Sequence, residues 1–398
     1  MHLLQSFDSN NNELHAKWLD NHILHVVGDP VGGIRLHIHT LIKEQEKHGI
    51  RISYAYSISS VDSVFSKDIE SICLAVDACI PMRVRKKPHY SDLINLKTLY
   101  QYIKANNVTI VHGHGAKGGL YARLLSAVIG VKSVYTPHGG TAHKMFNQLE
   151  EAIYTTCENA LSYFTGCYIF ESYYTKDSFR NKLGLNRNKW KVIPNGIDAQ
   201  EFRNQAENVC IAYLGKQTGM HLGVFGVLRS EKGQAYLISA VCKLIKSGYD
   251  LTLHVFGDGP DREELKGLVE KYTVNERVHF YGDVPSAAAY MSKMDLVVIP
   301  SLYESFGYVA VEAMLLNKFI VASRVGGLVE VLRDWECKLF VNPRDIDELA
   351  AAIVNFIDRD WLSVSSRSTC VNDNIHIYYS AERMAFDTFN VYLELLNK

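Results

Sequence analysis

The sequence predicts an α/β protein with two domains, each a parallel sheet covered by helices on both faces. Its 398 residues exceed what a single small core normally serves. A hydrophobic fraction of 47% and a charged fraction of 21% are ordinary for a soluble globular protein. Short apolar runs that end in glycine or polar residues alternate with longer segments of helical period, and this alternation occurs in two series along the chain.

The first series begins with the run HILHVVG. Its predicted strands are 22–28, 51–58, 109–115, 132–139 and 167–172. Between them, the segments 34–49 and 91–107 carry apolar residues at spacings of three and four, which indicates amphipathic helices.

The second series follows a polar stretch near 200–218. Its predicted strands are 221–228, 251–259, 277–284, 294–301 and 319–327. Repeated strand, glycine-rich turn and helix predict two Rossmann-like domains that face each other across a cleft. We expect an N-terminal domain over 1–205 and a C-terminal domain over 206–376, with the last helix, about 377–398, packing back on the first domain.

Charge and cysteine content exclude several classes of protein. A formal net charge of −1 gives no global field that would recruit nucleic acid. The eight cysteines contain no C-x-x-C pair, so we expect reduced, mostly buried thiols. The first 21 residues lack the apolar core of a signal peptide, and no run of 18 apolar residues occurs. We therefore expect a cytoplasmic protein, with peripheral attachment to the cytoplasmic face of the membrane as the alternative.

Ligands of open α/β sheets bind outside the carboxyl ends of the strands, so the residues there are candidates for a site. GVLRSEKG (226–233) follows a strand and opens a helix. Its glycine turn would let backbone N–H groups approach a phosphate, and Arg229 and Lys232 add positive charge. Alone, this segment is more typical of a solvated basic helix start, because a loose glycine-rich loop is a weak signal.

A second segment, PSLYESFGYVAVEAM (300–314), is more specific. Carboxylates accept hydrogen bonds from vicinal hydroxyls, so Glu304 could hold a sugar and Glu312 a ribose. We expect a helix to begin near Ser305, with the amides of 306–308 favouring a diphosphate. The alternative is that Glu304 only complements the helix dipole and Glu312 is a solvated helix residue.

Histidines stand among glycines at strand ends of the first domain, in VHGHGAKGG (111–119) and TPHGG (136–140). We expect His114 to face a substrate, while His112, on the alternate face of its strand, packs inward. Structural roles are the interpretation for the three others considered, His25, His37 and His89.

Taken together, these motifs resemble a GT-B-fold retaining glycosyltransferase of family 4 over nearly the whole chain. The landmarks are GDPVGGI (28–34), VHGHGAKGGLYARLL, VYTPHGG, VIPNGID (192–198), GVLRSEKG, HVFGDGPDREEL (254–265), VHFYGDV (278–284) and the pair Glu304–Glu312. Residues 82–119 further resemble the subgroup that extends bacterial surface polysaccharides on polyprenyl-diphosphate carriers.

The resemblance implies a nucleotide-sugar donor, most often a UDP-sugar, and a glycan or lipid-linked acceptor, with no cofactor and no metal. The implied catalytic residues are His114, Lys232 and Glu304. The implied donor-binding residues are Gly32, Gly33, Arg229, Lys232, Val284, Glu304, Ser305, Phe306, Gly307, Tyr308 and Glu312. The implied acceptor-side residues are His138, Arg83, Arg85, Lys86 and Lys87.

One departure from the family pattern concerns the basic side chain behind the first glycine of GVLRSEKG. Val227 stands where many members have arginine, so Arg229 becomes the candidate for that charge. The two D-x-D sequences, 345–347 and 358–360, lie away from the strand ends, and we interpret them as surface charge rather than metal ligands.

Three other classes share some of these features. A nucleotide-sugar 2-epimerase has the same fold and needs no acceptor, and a non-catalytic sugar-nucleotide-binding protein would keep the same pocket. A dehydrogenase is disfavoured because GDPVGG does not match G-x-G-x-x-G. The basic segment 82–89 predicts contact with anionic headgroups or a carrier diphosphate, and its alternative is a solvated loop.

Overall fold

The computed structural model describes residues 21–59, 63–85, 87–139, 148–183, 189–209, 219–358 and 374–397. The chain divides into two compact units, one comprising Met1–Glu171, Lys176–Ile193 and Met384–Lys398, the other Ser172–Thr175 and Pro194–Arg383. The expected limit at residue 205 therefore falls inside the second unit. Each unit holds one parallel sheet with helices, so the prediction of two Rossmann-like domains is confirmed.

The N-terminal unit has seven parallel strands in the order β3-β2-β1-β4-β5-β6-β7. The strands are β1 His22–Val27, β2 Arg51–Ser57, β3 Ala78–Met82, β4 Ile110–His114, β5 Lys132–Thr136, β6 Cys167–Phe170 and β7 Trp190–Val192. The helices are α1 Gly32–Lys47, α2 Ser63–Leu74, α3 Ser91–Asn106, α4 Gly115–Ile129, α5 Gln148–Ser162, most of α6 Tyr173–Leu183 and most of α15 Ala381–Leu396.

Alternate residues of this sheet enter different apolar clusters, as a sheet covered on both faces requires. Ile23 of β1 packs with Ile38 of α1 and Phe389 of α15, whereas Leu24 packs with Leu99 of α3. The last helix is therefore part of the core of the N-terminal unit.

The C-terminal unit has six parallel strands in the order β10-β9-β8-β11-β12-β13. The strands are β8 Met220–Phe225, β9 Leu251–Phe256, β10 Val278–Gly282, β11 Leu296–Ile299, β12 Phe319–Ser323 and β13 Lys338–Val341. The helices are α7 Ala199–Asn208, α8 Gln234–Lys246, α9 Arg262–Tyr272, α10 Ala287–Met291, α11 Tyr308–Leu315, α12 Gly326–Val331, α13 Ile346–Asp358 and α14 Ile375–Tyr378.

In both units the strand order reverses direction beside the first strand, between β1 and β4 and between β8 and β11. Connections that leave this point in opposite directions open a crevice above the strand ends, which is where doubly wound sheets bind ligands. The loops after β8 and β11 are the two segments that contain Lys232 and Glu304.

The expectation of reduced thiols is wrong for Cys73 and Cys79, which form a disulfide between the end of α2 and the start of β3. Cys337 is also disulfide-bonded. Spacing alone did not reveal the first pair, because the six-residue separation matches no common motif. Cys157, Cys167 and Cys242 are free thiols.

No helix within the described residues is both long enough and apolar enough to cross a membrane.

Candidate active site

Two glycines, Gly226 and Gly257, determine the conformation of the loop after β8. Gly226 has φ +126° and donates its N–H to the carbonyl of Phe256 at 3.0 Å. A Cβ on Gly257 would lie 2.1 Å from the carbonyl oxygen of Gly226, which requires glycine at this close approach. The loop is thereby fixed against the end of β9.

A short 3₁₀ turn, Ser230–Lys232, follows and ends at Gly233, whose φ is +70°. A Cβ on Gly233 would lie 2.0 Å from the carbonyl oxygen of Pro300, at the end of β11. The amide of Leu302 donates to the carbonyl of Glu231 at 2.8 Å. The loops after β8 and β11 are thus packed backbone to backbone, and this packing positions Lys232.

Lys232 and Glu304 form an ion pair at this point, with Nζ donating to Oε2 at 2.6 Å. The Lys232 side chain is 33% exposed and that of Glu304 is 15% exposed. Ser301 Oγ also donates to Glu304 Oε2, at 3.4 Å. The structure therefore brings together an anion-binding ammonium and a carboxylate that can accept from hydroxyls.

The helix after this loop begins three residues later than expected, so the prediction of a start near Ser305 is wrong. Helix α11 begins at Tyr308, and Gly307 precedes it with φ +104°. Within the described residues, the amides of Phe306 and Gly307 have no backbone acceptor, so they remain available at the N-terminus of α11. Residues 305 and 306 form a bend, and the left-handed φ of Gly307 separates that bend from the helix.

Residues 304–306 pack closely on the glycine pair that opens α12. A Cβ on Gly326 would lie 2.0 Å from the carbonyl oxygen of Glu304, and one on Gly327 would lie 2.3 Å from that of Ser305. Gly327 donates its N–H to the Glu304 carbonyl at 2.9 Å, and Ser172 Oγ donates to the Ser305 carbonyl at 2.7 Å. These contacts fix the backbone that carries Glu304.

Glu312 is the fifth residue of α11 and lies one turn into the helix. Glu312 is partly buried. Burial raises the pKa of Glu312 to about 7. A desolvated carboxyl group that keeps some exposure can accept hydrogen bonds from ligand hydroxyls once it is ionised.

The other predicted donor residues are placed less closely. The Arg229 guanidinium lies 4.0 Å from the Glu231 carboxylate and is 43% exposed, so no strong contact fixes it. Val284 follows β10 and packs against the core of the C-terminal unit. Gly32 and Gly33 open α1 in the N-terminal unit.

The predicted acceptor-side cations lie in the loop before α3. Arg83, Arg85 and Lys87 are exposed, and Lys86 lies outside the described residues. Of the two D-x-D sequences, Asp345 caps α13 by accepting from the Glu348 amide, and Asp347 pairs with Lys243 on the surface, as surface charge would. The second sequence extends beyond the described residues.

The predicted histidines belong to a larger buried cluster in the N-terminal unit. His114 is fully buried, and its ring contacts those of His25, His37, His112 and His138. Burial lowers the pKa of His114 well below its usual value, with nearby imidazoles as the smaller cause. Contact between His114 and a sugar stays a prediction.

His112 faces the interior, where Tyr392 of α15 and Thr136 of β5 engage both ring nitrogens at 2.7 and 2.8 Å. Sequence reasoning gave His25 and His37 structural roles and missed their contact with His114 and His138. One signal could have found the cluster: His25 and His114 stand on β1 and β4, the two strands that flank the reversal of strand order.

Glu330 of α12 was also missed. Its carboxylate accepts from the amides of Tyr173 and Tyr174 at 2.9 and 2.5 Å and so caps the start of α6. No local motif marks this contact, because the partners are more than 150 residues apart in sequence.

In a comparison with known proteins, each of the two regions of the chain matches a family model of glycosyltransferases. "Glycosyltransferase Family 4" matches residues 31–201, and "Glycosyl transferases group 1" matches residues 216–372. An uncharacterized glycosyltransferase of Methanocaldococcus jannaschii is 30% identical over 273 residues, covering 66% of this chain and 68% of that protein. An uncharacterized 41.2 kDa protein from the cps region of Klebsiella pneumoniae is 27% identical over 308 residues, covering 72% and 82%.

Among solved structures, HepE of Anabaena in complex with UDP superposes with a TM-score of 0.74 at 20% identity, covering 94% of this chain and 99% of that one. This likeness concerns the fold. With both family regions matched in order and a relative at 30% identity, the chain belongs to the glycosyltransferases and has the GT-B pair of Rossmann-like domains.

Proposed function

We propose that this glycosyltransferase moves a sugar from a nucleotide-diphosphate donor, a UDP-sugar in the first instance, to a glycan or lipid-linked acceptor during surface-polysaccharide synthesis, with retention of configuration and without a metal. The single observation that carries the donor assignment is the Lys232–Glu304 pair at the strand reversal of the C-terminal sheet. The UDP complex of HepE and the cps-region relative support the nucleotide and the pathway class.

The proposed reaction uses these groups as follows. The bond between the anomeric carbon and the β-phosphate oxygen breaks, and a bond from the acceptor hydroxyl forms on the same face of the sugar. The hydroxyl proton passes to the departing phosphate oxygen, so charge and atoms balance without a protein nucleophile. Lys232 and the amides before α11 stabilise the charge that grows on the diphosphate, while Glu304 holds sugar hydroxyls.

A panel of UDP- and GDP-sugars, offered with and without free glycan and polyprenyl-diphosphate-linked acceptors, tests this proposal. We expect release of nucleoside diphosphate that depends on an acceptor, and a product that keeps the anomeric configuration of the donor by NMR. Release of an altered free sugar without an acceptor would instead identify an epimerase. Saturable binding of every donor without turnover would identify a binding protein.

Metal removal is expected to leave transfer intact. Cationic stabilisation of the diphosphate comes from Lys232 and backbone amides in this proposal, so EDTA should change the initial rate less than twofold. The measurement compares initial rates after dialysis against EDTA and after re-addition of Mg²⁺ or Mn²⁺. Complete loss that either ion restores would contradict the metal-free reaction.

Membrane attachment is expected to depend on the basic loop before α3. Arg83, Arg85 and Lys87 are exposed, and so are two apolar residues in the first turn of α3, Leu93 at 73% and Ile94 at 57%. Each basic residue near an anionic surface contributes about 1 kcal/mol, so four give reversible, salt-sensitive binding. We expect sedimentation with phosphatidylserine vesicles at low salt and much less at high salt.

The variant for this test changes all four residues, 83 and 85–87, to serine. A matched control removes four other exposed cations, Lys243, Lys246, Lys271 and Lys293. Binding should fall in the first variant only. Equal sedimentation of both variants and the wild type would show that the loop is no anchor.

A further inference from the structure

Five buried or nearly buried imidazoles of the N-terminal unit form one cluster. His25 lies on β1, His112 and His114 on β4, His138 just beyond β5, and His37 on α1. The rings are in contact: His112 and His114 have centroids 4.0 Å apart, and those of His37 and His138 are 4.7 Å apart. Two sets of three among them bring one nitrogen each within 4.8 Å of the others.

Hydrogen-bond partners assign the proton on His114. Gln45 Oε1 lies 2.8 Å from His25 Nε2, so that nitrogen donates and His25 Nδ1 is left as an acceptor. His25 Nδ1 lies 3.0 Å from His114 Nε2, which therefore carries the proton. A neutral imidazole with its proton on Nε2 presents a lone pair at Nδ1.

A carboxylate beside His138 indicates which of its ring nitrogens carries the proton. Its Nδ1 lies 3.5 Å from the buried carboxylate oxygen Oε2 of Glu171, which favours a proton on Nδ1. His138 Nε2 then presents a lone pair, and it lies 3.3 Å from Nδ1 of His114.

Two lone pairs that face each other at 3.3 Å repel unless a cation lies between them. This separation suits zinc, because two imidazole nitrogens bound at about 2.0–2.1 Å in a tetrahedron are about 3.3–3.4 Å apart. His37 supplies a third nitrogen in the same set. We propose that His37, His114 and His138 bind a divalent cation of the zinc type, with a fourth position open to water or another ligand.

The surroundings have the outer contacts that histidine ligands of metals usually make. His114 donates its other N–H to His25, which Gln45 holds, and His138 directs its other nitrogen at Glu171. The second histidine set, His25, His112 and His114, is not the site, because both nitrogens of His112 are engaged by Tyr392 and Thr136.

The proposed metal site is inferred from the positions of the histidine nitrogens and does not depend on sugar transfer. One consequence, however, rests on the proposed function. If His114 contacts the sugar, an ion that holds this ring would slow transfer, so added Zn²⁺ would inhibit an enzyme that EDTA leaves active. Binding itself is therefore measured first, without any sugar.

The direct test titrates the metal-free full chain, in a Cys157→Ser background that removes the exposed thiol, with Co²⁺. We expect the visible absorption of tetrahedral Co²⁺ to saturate at one equivalent and to disappear when Zn²⁺ displaces the ion. His37→Asn and His138→Asn should each weaken Co²⁺ binding at least tenfold. Asparagine suits residue 138 because it tolerates the left-handed φ of +50° found there.

His221→Asn is the matched control, since His221 belongs to another, partly buried pair of imidazoles, with His254, in the C-terminal unit. It should bind Co²⁺ like the wild type. Circular dichroism establishes that each variant folds, and Zn²⁺ should raise the Tm of the wild type but not of His138→Asn. Absence of saturable Co²⁺ binding, or equal binding by wild type and both ligand variants, would overturn the site.

Discussion

Lys232→Ala is expected to lower kcat of sugar transfer about 10²- to 10³-fold, the loss typical when one charge-stabilising group is removed from a transition state. Donor affinity should fall less, because negative charge on the diphosphate grows as the glycosidic bond breaks and the ammonium acts most strongly at that point. The measurement pairs kcat with the donor Kd from calorimetry.

Two companion variants separate charge from general damage. Lys232→Arg keeps a cation beside Glu304 and should retain more activity than alanine, though less than the wild type, because a planar guanidinium replaces a compact ammonium. Lys243→Ala breaks an exposed ion pair with Asp347 and should change neither parameter. An unchanged kcat with only a weaker Kd in Lys232→Ala would exclude the leaving-group role.

Glu312→Gln is expected to weaken donor binding about 10- to 150-fold, which corresponds to losing a charged hydrogen-bond acceptor worth roughly 1.5–3 kcal/mol. The wild-type affinity should also depend on pH. Burial raises the pKa of Glu312 from 4.5 to about 7, so the charged acceptor forms only as the pH rises through that value. Donor binding should therefore tighten between pH 6 and 8 in the wild type and stay flat in the variant.

The same variant is expected to keep the fold and to be more stable than the wild type at alkaline pH. Folding favours the protonated carboxyl, so the wild type loses stability as the pH rises from about 4.5 to about 7. Glutamine does not titrate, so Tm curves of the two proteins should diverge over that window. Unchanged donor affinity in Glu312→Gln, with Tm curves that do diverge, would remove Glu312 from the donor site without questioning its burial.

All ten strands that the sequence predicts occur in the structure, most of them shorter at the carboxyl end than the apolar run suggests. The three strands that it does not predict, β3, β7 and β13, each lie at an edge of a sheet. Edge strands bury less of each side chain, and β3 contains Pro81, so their segments lack the continuous apolar run that identifies a strand buried on both faces.

Local sequence by itself determined the repeated strand, turn and helix, and hence the two sheets and the loops that carry Lys232 and Glu304. These features depend on periodicity and glycine, which act within a few residues. The tertiary structure alone decided the pairing of Cys73 with Cys79, the start of α11 at Tyr308 and the contact between Lys232 and Glu304.

Only the tertiary structure, likewise, brought His25 and His37 against His114 and His138. The physical reason is the strand order: β1 and β4 are neighbours in the sheet although 82 residues lie between them along the chain. Desolvation also depends on the tertiary structure. The pKa of Glu312 is raised and the pKa of His114 is lowered by packing that no local sequence pattern encodes.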